Sequence, residues 1–268
     1  MVFLILAALY VDRFFFAAIF LVVVILGLLE FYTITVADDC KPQKITGTIL
    51  GTILYLGISG FYLIQSSNAI IFPILFMLPV FFIPIIIELY RKKNKSLINV
   101  SITILGLIYI SLPLGLLNIM NDPIGGTIFG RFPAYLTVYF LITWIYDTGA
   151  YLVGKNFGKH KFFERISPKK TWEGIIGGTV LALAAATGLS FIAEGIQMTH
   201  FLVLTVLVIF FGTFGDLAES LFKRSLNLKD SGNILPGHGG ILDRFDTIFV
   251  SAPFVFLYFL LLSTFLLK

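Results

Sequence analysis

Apolar runs about as long as a membrane is thick recur along this chain, and they constrain its fold more than any other feature. A helix needs roughly 20 apolar residues to cross the ~30 Å hydrocarbon core of a bilayer. A shorter run covers residues 1–11. The full-length runs lie at residues 14–36, 46–64, 69–89, 97–117, 132–154, 174–195, 200–222 and 246–267. The sequence therefore predicts an all-α integral membrane protein, a polytopic bundle of about nine transmembrane helices with a short first one.

Composition excludes several other classes of protein. The chain is 58% hydrophobic and only 13% charged, whereas soluble domains are about 25% charged. A single cysteine, Cys40, excludes a disulfide framework and a thiolate metal cluster. Outside the loops no basic patch is interleaved with aromatic residues, so we expect no nucleic-acid partner. Residues 1–11 are too few to cross a bilayer unaided. They are expected to pair with the next run, turning at Asp12-Arg13, or to end a span that starts before this sequence.

Basic residues fall in alternate connections between the predicted spans. Of the 19 Lys and Arg residues, 16 lie in four connections. These connections contain Lys41 and Lys44, residues 91–95, residues 155–173 and residues 223–245. By the positive-inside rule these connections face the cytoplasm. We therefore predict a multi-pass protein of the inner (cytoplasmic) membrane, with its polar site facing the cytoplasm.

Two connections, 155–173 and 223–245, are long and rich in Gly, Lys, Ser and Asp. Both of these connections lie in the second half of the chain. The sequence therefore predicts a scaffold of transmembrane helices over residues 1–131 and a catalytic region over residues 132–268. Gly47 and Gly51, four residues apart, would let another helix approach closely, and such small-residue faces permit a homodimer. Glu30 and Glu88 lie near cytoplasmic ends of other spans. We expect them to reach toward the interface or to pair with a basic loop.

Carboxylates are concentrated in one polar segment near the C-terminus. Asp216, Glu219 and Lys223 share one helix face, and Glu219–Lys223 has the spacing of an ion pair. Asp216 lies in an apolar run, where a carboxylate requires a cavity, a cation or a metal. Asp243 and Asp246 lie at the entry to the last span, and Asp246 also suits the positive end of that helix. Two such pairs at the same depth could converge on a divalent cation such as Mg²⁺.

The two long connections also carry features of phosphate binding. In KDSGNILPGHGG (229–240), glycines would let backbone N–H groups approach phosphate oxygens, and His238 could donate to a phosphate. The sequence from Ser167 to Gly174 predicts a helix start, with Thr171 as cap and Glu173 in the first turn. Its two lysines, together with that helix N-terminus, would form an anion site. The segment lacks the glycine and lysine spacing of a Walker A loop.

The motifs resemble those of the phosphatidate cytidylyltransferases, also called CDP-diacylglycerol synthases. The first block comprises Ser220, Lys223-Arg224, Lys229-Asp230, Gly232, Pro236, His238-Gly239-Gly240, Asp243-Arg244 and Asp246. The second block comprises Asp147, Gly149-Ala150-Tyr151, Gly154, Gly158, Ser167-Pro168-Lys169-Lys170-Thr171 and Glu173-Gly174. Together the blocks cover roughly the C-terminal half, while the N-terminal half is similar in hydropathy only.

The resemblance implies transfer of CMP from CTP to phosphatidic acid, giving CDP-diacylglycerol and pyrophosphate for phospholipid synthesis. It also implies Mg²⁺ and a second cation such as K⁺. On this interpretation Asp216 and Asp243 bind the metal with Asp246 as a weaker third ligand, and Lys223 joins them as a catalytic residue. The expected substrate-binding residues are Ser167, Lys169, Lys170, Thr171, Glu173, Ser220, Arg224, Lys229, His238, Gly239, Gly240 and Arg244.

Two alternatives remain open from the residues alone. A CTP-dependent lipid kinase of the polyprenol or phytol type would transfer the terminal phosphate to a lipid alcohol. A cation-coupled transporter would use Asp147, Asp216 and Glu219 as an ion path. Transporters often place such charges at the bilayer midplane, whereas here they crowd toward one face.

Overall fold

The computed structural model describes residues 2–37, 40–63, 71–121, 132–192, 197–232 and 239–266. Each predicted span coincides with a helical segment whose ends differ from the prediction by no more than four residues. The all-α fold class is therefore confirmed. The α-helices are α1 (Val2–Val11), α2 (Arg13–Ile34), α3 (Lys44–Leu63), α4 (Ile71–Arg91), α5 (Ser96–Gly106), α6 (Leu112–Met120), α7 (Phe132–Phe157), α8 (Trp172–Ile192), α9 (Met198–Ser225) and α10 (Leu242–Leu266).

Within the described residues, six helical segments are long and apolar enough to cross a membrane. They are Arg13–Ile34, Ser96–Met120, Tyr135–Phe157, Trp172–Ile192, Met198–Ser225 and Leu242–Leu262. The protein is a multi-pass membrane protein. The second of these segments joins α5 to α6 through a π-helical turn, Leu107–Ser111. The count of about nine crossings stays a prediction, since α1 has only 10 residues.

The chain divides into two compact units, one of Met1–Asp122 with Asp230–Phe245 and the other of Pro123–Lys229 with Asp246–Lys268. In the first unit α3 packs against α2, α4 and α6. A Cβ at Gly47 would lie 2.6 Å from the Tyr32 ring, and one at Gly51 would lie 2.5 Å from Leu28. The expectation that these two glycines admit a neighbouring helix is therefore confirmed. The neighbour is α2 at both glycines, and at Gly51 the π-helical turn also approaches, with Ser111 2.6 Å from such a Cβ.

A buried polar network also stabilises the first unit. The Glu88 carboxylate accepts hydrogen bonds from Gln43 Nε2 (2.8 Å), Asn99 Nδ2 (2.8 Å) and Arg91 (2.7 Å). The expected pairing of Glu88 with a basic loop is confirmed, because Arg91 begins the 91–95 run. The Asn99 side chain also accepts from the Lys41 backbone N–H (2.7 Å), so the loop after α2 is fastened to α5.

In the second unit α7 and α8 pack closely along their length. A Cβ at Gly178 would lie 2.9 Å from the Ala150 nitrogen and from the Tyr146 oxygen, and one at Gly149 would lie 2.8 Å from Leu181. Small residues let helix backbones approach in a membrane, where lipid supplies no hydrophobic drive between helices. The glycines at 149 and 178 therefore allow the tight packing of these two helices.

A short antiparallel hairpin links α7 to α8, formed by β1 (Lys161–Phe163) and β2 (Ser167–Thr171). The sequence did not predict these strands. Ile166 is buried at the turn, and the Phe162 ring packs edge-on against Trp172 with centroids 4.7 Å apart. The hairpin thus fixes the course of the basic 155–173 loop and places Lys169 and Lys170 on a defined strand.

Candidate functional site

Carboxylates from three helices cluster in the second unit. Asp147 lies on α7, Asp216 and Glu219 on α9, and Asp246 on α10. The charges of Asp147, Asp216 and Glu219 all act on Asp246. Like charges repel one another strongly away from bulk water, so this cluster requires protons or a cation to offset its negative charge.

Lys170 supplies one such cation. Its Nζ lies 2.5 Å from Asp216 Oδ2, with side chains 23% and 33% exposed. The Ser220 hydroxyl donates to the other oxygen of Asp216 at 3.4 Å. The expectation that Asp216 faces a cation, a cavity or a metal is confirmed for the cation. The partner comes from the β-hairpin, 46 positions earlier in the chain.

Glycines position α10 against α9 beside this cluster. A Cβ at Gly215 would lie 2.5 Å from the Asp246 carbonyl oxygen, and one at Gly212 would lie 2.6 Å from Thr247. On α9, Gly212 lies one turn before Asp216, and Gly215 is adjacent to Asp216. The close approach therefore brings Asp246 within electrostatic range of Asp216.

Lys223 and Glu219 form the expected i,i+4 ion pair on α9, with Nζ 2.5 Å from Oε2. Both side chains are largely buried, at 14% and 4% exposure. Water and salt screen the attraction in a pair at this depth much less than in a surface pair, whose net stabilisation is only about 0–1 kcal/mol. Lys223 is therefore a fixed positive group on the same helix as Asp216, and its catalytic role stays a prediction.

The start of α8 has the predicted cap. The Thr171 hydroxyl accepts from the Gly174 N–H at 3.2 Å, and Thr171 is 4% exposed. Glu173 lies in the first turn, where its carboxylate contacts the His160 ring at 2.5 Å and accepts from the Lys159 N–H at 3.0 Å. These contacts give Glu173 a structural role in the hairpin entry, and its predicted contact with substrate stays a prediction.

The other predicted basic and hydroxyl residues of this unit lie on or beside the same elements. Arg224 donates to the carbonyl oxygens of Leu228 (3.2 Å) and Ile166 (3.5 Å), and so joins the end of α9 to the hairpin turn. Lys169 and Lys229 are exposed, while Ser167 is half-buried. Their roles in substrate binding stay predictions.

In the first unit, Asp243 organises the segment before α10. Its Oδ2 accepts from the Gly240 N–H (3.0 Å), the Ser231 N–H (3.1 Å) and the Ser231 hydroxyl (2.9 Å). Gly239 has φ +83°, a conformation that favours glycine. Arg244 is exposed at the same helix start. The predicted contribution of His238 falls outside the described residues.

The sequence did not predict the contact between Glu30 and Ser231. Glu30 is 4% exposed on α2 and accepts from the Ile241 N–H at 2.8 Å and the Leu242 N–H at 3.2 Å. The expectation that Glu30 reaches the interface or forms an ion pair with a basic loop is wrong in its chemistry. Glu30 is buried and contacts the basic 223–245 connection, but its partners there are backbone N–H groups and the Ser231 hydroxyl. A single carboxylate within an apolar span was the signal that could have identified it.

Mg²⁺ suits the chemistry of the carboxylate cluster. Mg²⁺ takes hard oxygen ligands, commonly one or two carboxylates together with waters and substrate phosphates. Over the described part of the chain, no three His, Cys, Asp or Glu side chains are arranged as a metal site. Asp216 and Asp246 would supply the one or two carboxylates that such an ion needs, and this assignment stays a prediction.

Comparisons with known proteins show the family of this chain. The profile of the Cytidylyltransferase family matches residues 1–262. Similar proteins named phosphatidate cytidylyltransferase occur in Bacillus subtilis (strain 168), 50% identical over 128 residues, and in Staphylococcus aureus (strain COL), 50% identical over 120 residues. The alignments cover 47% of both chains in the first case, and 44% of this chain and 46% of the relative in the second. The chain thus spans about half the length of the curated relatives it matches. Because the family profile covers nearly the whole sequence, the chain belongs to the cytidylyltransferase family.

Proposed function

We propose that this protein transfers CMP from CTP to phosphatidic acid, releasing pyrophosphate and giving CDP-diacylglycerol for phospholipid synthesis. The observation that carries the proposal is the cluster of Asp147, Asp216 and Asp246 with Lys170, in a membrane protein of the cytidylyltransferase family. The names of the similar proteins agree with this substrate pair. The carboxylates and Lys170 provide the charges that a nucleotide triphosphate and a metal ion require.

In the proposed reaction an oxygen of the phosphatidate phosphate attacks the α-phosphorus of CTP. A new P–O bond forms there, and the bond between the α-phosphorus and the oxygen bridging to the β-phosphate breaks. The electron pair leaves on pyrophosphate. The attacking phosphate is already anionic, so no protein nucleophile or general base is needed. Catalysis then rests on alignment of the reactants and on neutralisation of charge.

Lys170 is well placed to bind phosphate in this scheme. Its ammonium group forms an ion pair with Asp216. An incoming triphosphate competes for the same cation, since charge-assisted contacts to phosphate are as strong as those to carboxylate. Lys169 lies next to it on β2, and Lys223 supplies a second fixed charge on α9. The remaining predicted contacts, from Arg224, Lys229, His238 and Arg244, belong to the same proposal.

We assign Mg²⁺ to Asp216 and Asp246. The assignment of Asp243 to the metal, and the second cation such as K⁺, stay predictions. When bound, Mg²⁺ neutralises phosphate charge and makes pyrophosphate a better leaving group. The carboxylates would hold the ion, and Lys170 would bind phosphate oxygens.

The proposal places the reaction at the cytoplasmic face of the inner membrane. The basic connections support this orientation through the positive-inside rule. CTP would arrive from the cytoplasm, and phosphatidic acid would enter from the surrounding bilayer. A homodimer also remains a prediction from the small-residue faces.

Labelled CTP tests the proposed reaction directly. Purified protein in nanodiscs would receive phosphatidic acid and Mg²⁺, with CTP labelled at the α- or the γ-phosphate. We expect label from the α-phosphate in the lipid product, lost with EDTA and in Asp216→Asn. Asp12→Asn, which changes an exposed carboxylate outside the cluster, is the matched control.

Each alternative gives a different result in the same preparation. Transfer of γ-label to a polyprenol or phytol acceptor would identify a lipid kinase and reject the proposal. Intact CTP combined with ion flux across liposomes would identify a transporter. Near-normal α-transfer in Asp216→Asn would reject the role given to the carboxylate cluster.

A further inference from the structure

Glu30 is a buried carboxylate for which the proposed reaction gives no role. It lies on α2, in the apolar sequence GLLEFYT, and is 4% exposed. Such a charge in a membrane-spanning helix is expensive and calls for a compensating set of donors. The donors are Ser231, Ile241 and Leu242, about 200 positions away in the sequence.

The Glu30 contacts converge on the start of α10. Its Oε2 accepts from the Ile241 N–H at 2.8 Å, and its Oε1 accepts from the Leu242 N–H at 3.2 Å. The first N–H groups of a helix have no partner within the helix and carry a partial positive charge. A carboxylate from α2 therefore caps α10, although the two helices are distant in sequence.

Ser231 links this cap to Asp243. Its hydroxyl contacts Glu30 Oε1 and also lies 2.9 Å from Asp243 Oδ2, and the residue is 2% exposed. The Ser231 and Gly240 N–H groups bond to the same Asp243 oxygen. Displacement of Glu30 would therefore disturb Ser231, which bonds to Asp243, and also the start of α10, which carries Asp243.

Steric fit makes the contact specific. A Cβ added at Gly240 would overlap Glu30 Oε1 and Ser231 Oγ, and one at Gly232 would lie 3.1 Å from the Glu30 carboxylate. The two glycines therefore leave the space that the carboxylate occupies. An alanine at position 240 would therefore push the Gly240–Leu242 backbone away from Glu30, although the Glu30 side chain itself is unchanged.

We propose that Glu30 is a positioning residue: its carboxylate holds Ser231 and the Gly240–Leu242 backbone in the conformation that presents Asp243. The link from this conformation to catalysis rests on the proposed function. Glu30 itself touches neither reacting atom in this scheme, and it acts through Ser231 and the first turn of α10.

Amide hydrogen exchange tests the positioning without reference to activity. In Glu30→Gln the Ile241 and Leu242 amides should exchange about tenfold faster, as expected for loss of one charge-assisted hydrogen bond. Gly240→Ala should produce the same local change while leaving Glu30 intact. Gly60→Ala is the matched control, because a Cβ there meets nothing within 4 Å. Unchanged exchange at these amides in both test variants would overturn the proposal.

A double-mutant measurement of α-label transfer tests the link to catalysis. If Glu30 acts through Ser231, Glu30→Gln and Ser231→Ala should each lower kcat/KM about tenfold, and the double variant should lose little more than either one. Losses that multiply would show independent effects and overturn the link. A wild-type protein that transfers no α-label would reject the proposed reaction, while the exchange data would still decide whether Glu30 holds the segment.

Discussion

Replacement of Lys170 by methionine is the most informative single change in the carboxylate cluster. Methionine keeps much of the side-chain length and removes the charge. Asp216 then loses the ammonium group 2.5 Å away, while Asp147 and Asp246 remain within electrostatic range. The substitution therefore separates the stabilising role of the ion pair from the repulsion among the carboxylates.

The burial of the pair sets the expected magnitude. Removing one partner of a fully buried ion pair destabilises a protein by about 3–5 kcal/mol, whereas exposed pairs contribute about 0–1 kcal/mol. The two side chains here are 23% and 33% exposed, so they lie between these limits. We expect Lys170→Met to lower the free energy of unfolding by about 1–2 kcal/mol.

The measurement is a double-mutant cycle on protein in detergent micelles, with SDS-induced unfolding followed by circular dichroism. Asp216→Asn should be milder than Lys170→Met, because it also relieves repulsion with Asp147 and Asp246. The double variant should recover most of the stability and none of the α-label transfer. Lys169→Met removes the same charge from an exposed neighbour on β2 and is the matched control for stability.

Three outcomes would refute this reasoning. Equal stability of Lys170→Met and Lys169→Met would show that the ion pair contributes nothing measurable. Strictly additive losses in the cycle would show that Lys170 and Asp216 do not stabilise each other. Recovery of transfer activity in the double variant would contradict a role for either residue in binding substrate.

Three further predictions concern packing, thiol chemistry and metal binding. Gly178→Val should reduce the yield of folded protein in size-exclusion chromatography, because even a Cβ would lie 2.9 Å from the Ala150 nitrogen. Burial raises the pKa of the Cys40 thiol, with Lys95 opposing. N-ethylmaleimide should therefore label folded protein slowly at pH 7 and faster as pH rises; equal rates before and after SDS unfolding would contradict this. Mg²⁺ should raise the thermal unfolding midpoint of wild-type protein more than that of Asp216→Asn or Asp246→Asn, as differential scanning fluorimetry would show, and identical shifts would remove the metal assignment.

Features that depend on a few neighbouring residues could be predicted well. Only helices and closed barrels satisfy every backbone polar group inside a bilayer, so apolar length alone located the helical segments. The Thr171 cap and the Glu219–Lys223 pair followed from spacings of three and four residues, since a helix places such positions side by side. The family resemblance also rested on residues that could be read directly from the chain.

Features that join distant parts of the chain were decided by tertiary structure. The sequence placed Lys170 and Asp216 in one proposed site but could not show that they bond to each other, and it gave no sign of the β-hairpin that carries Lys170. Glu30 illustrates the reason most clearly. A carboxylate near the end of an apolar helix can reach water or turn inward, and the local sequence is the same in both cases. Glu30 turns inward because the first N–H groups of α10 offer it hydrogen-bond donors, about 200 residues away in the sequence. Sequence thus determined which segments enter the membrane, while folding determined which charges meet there.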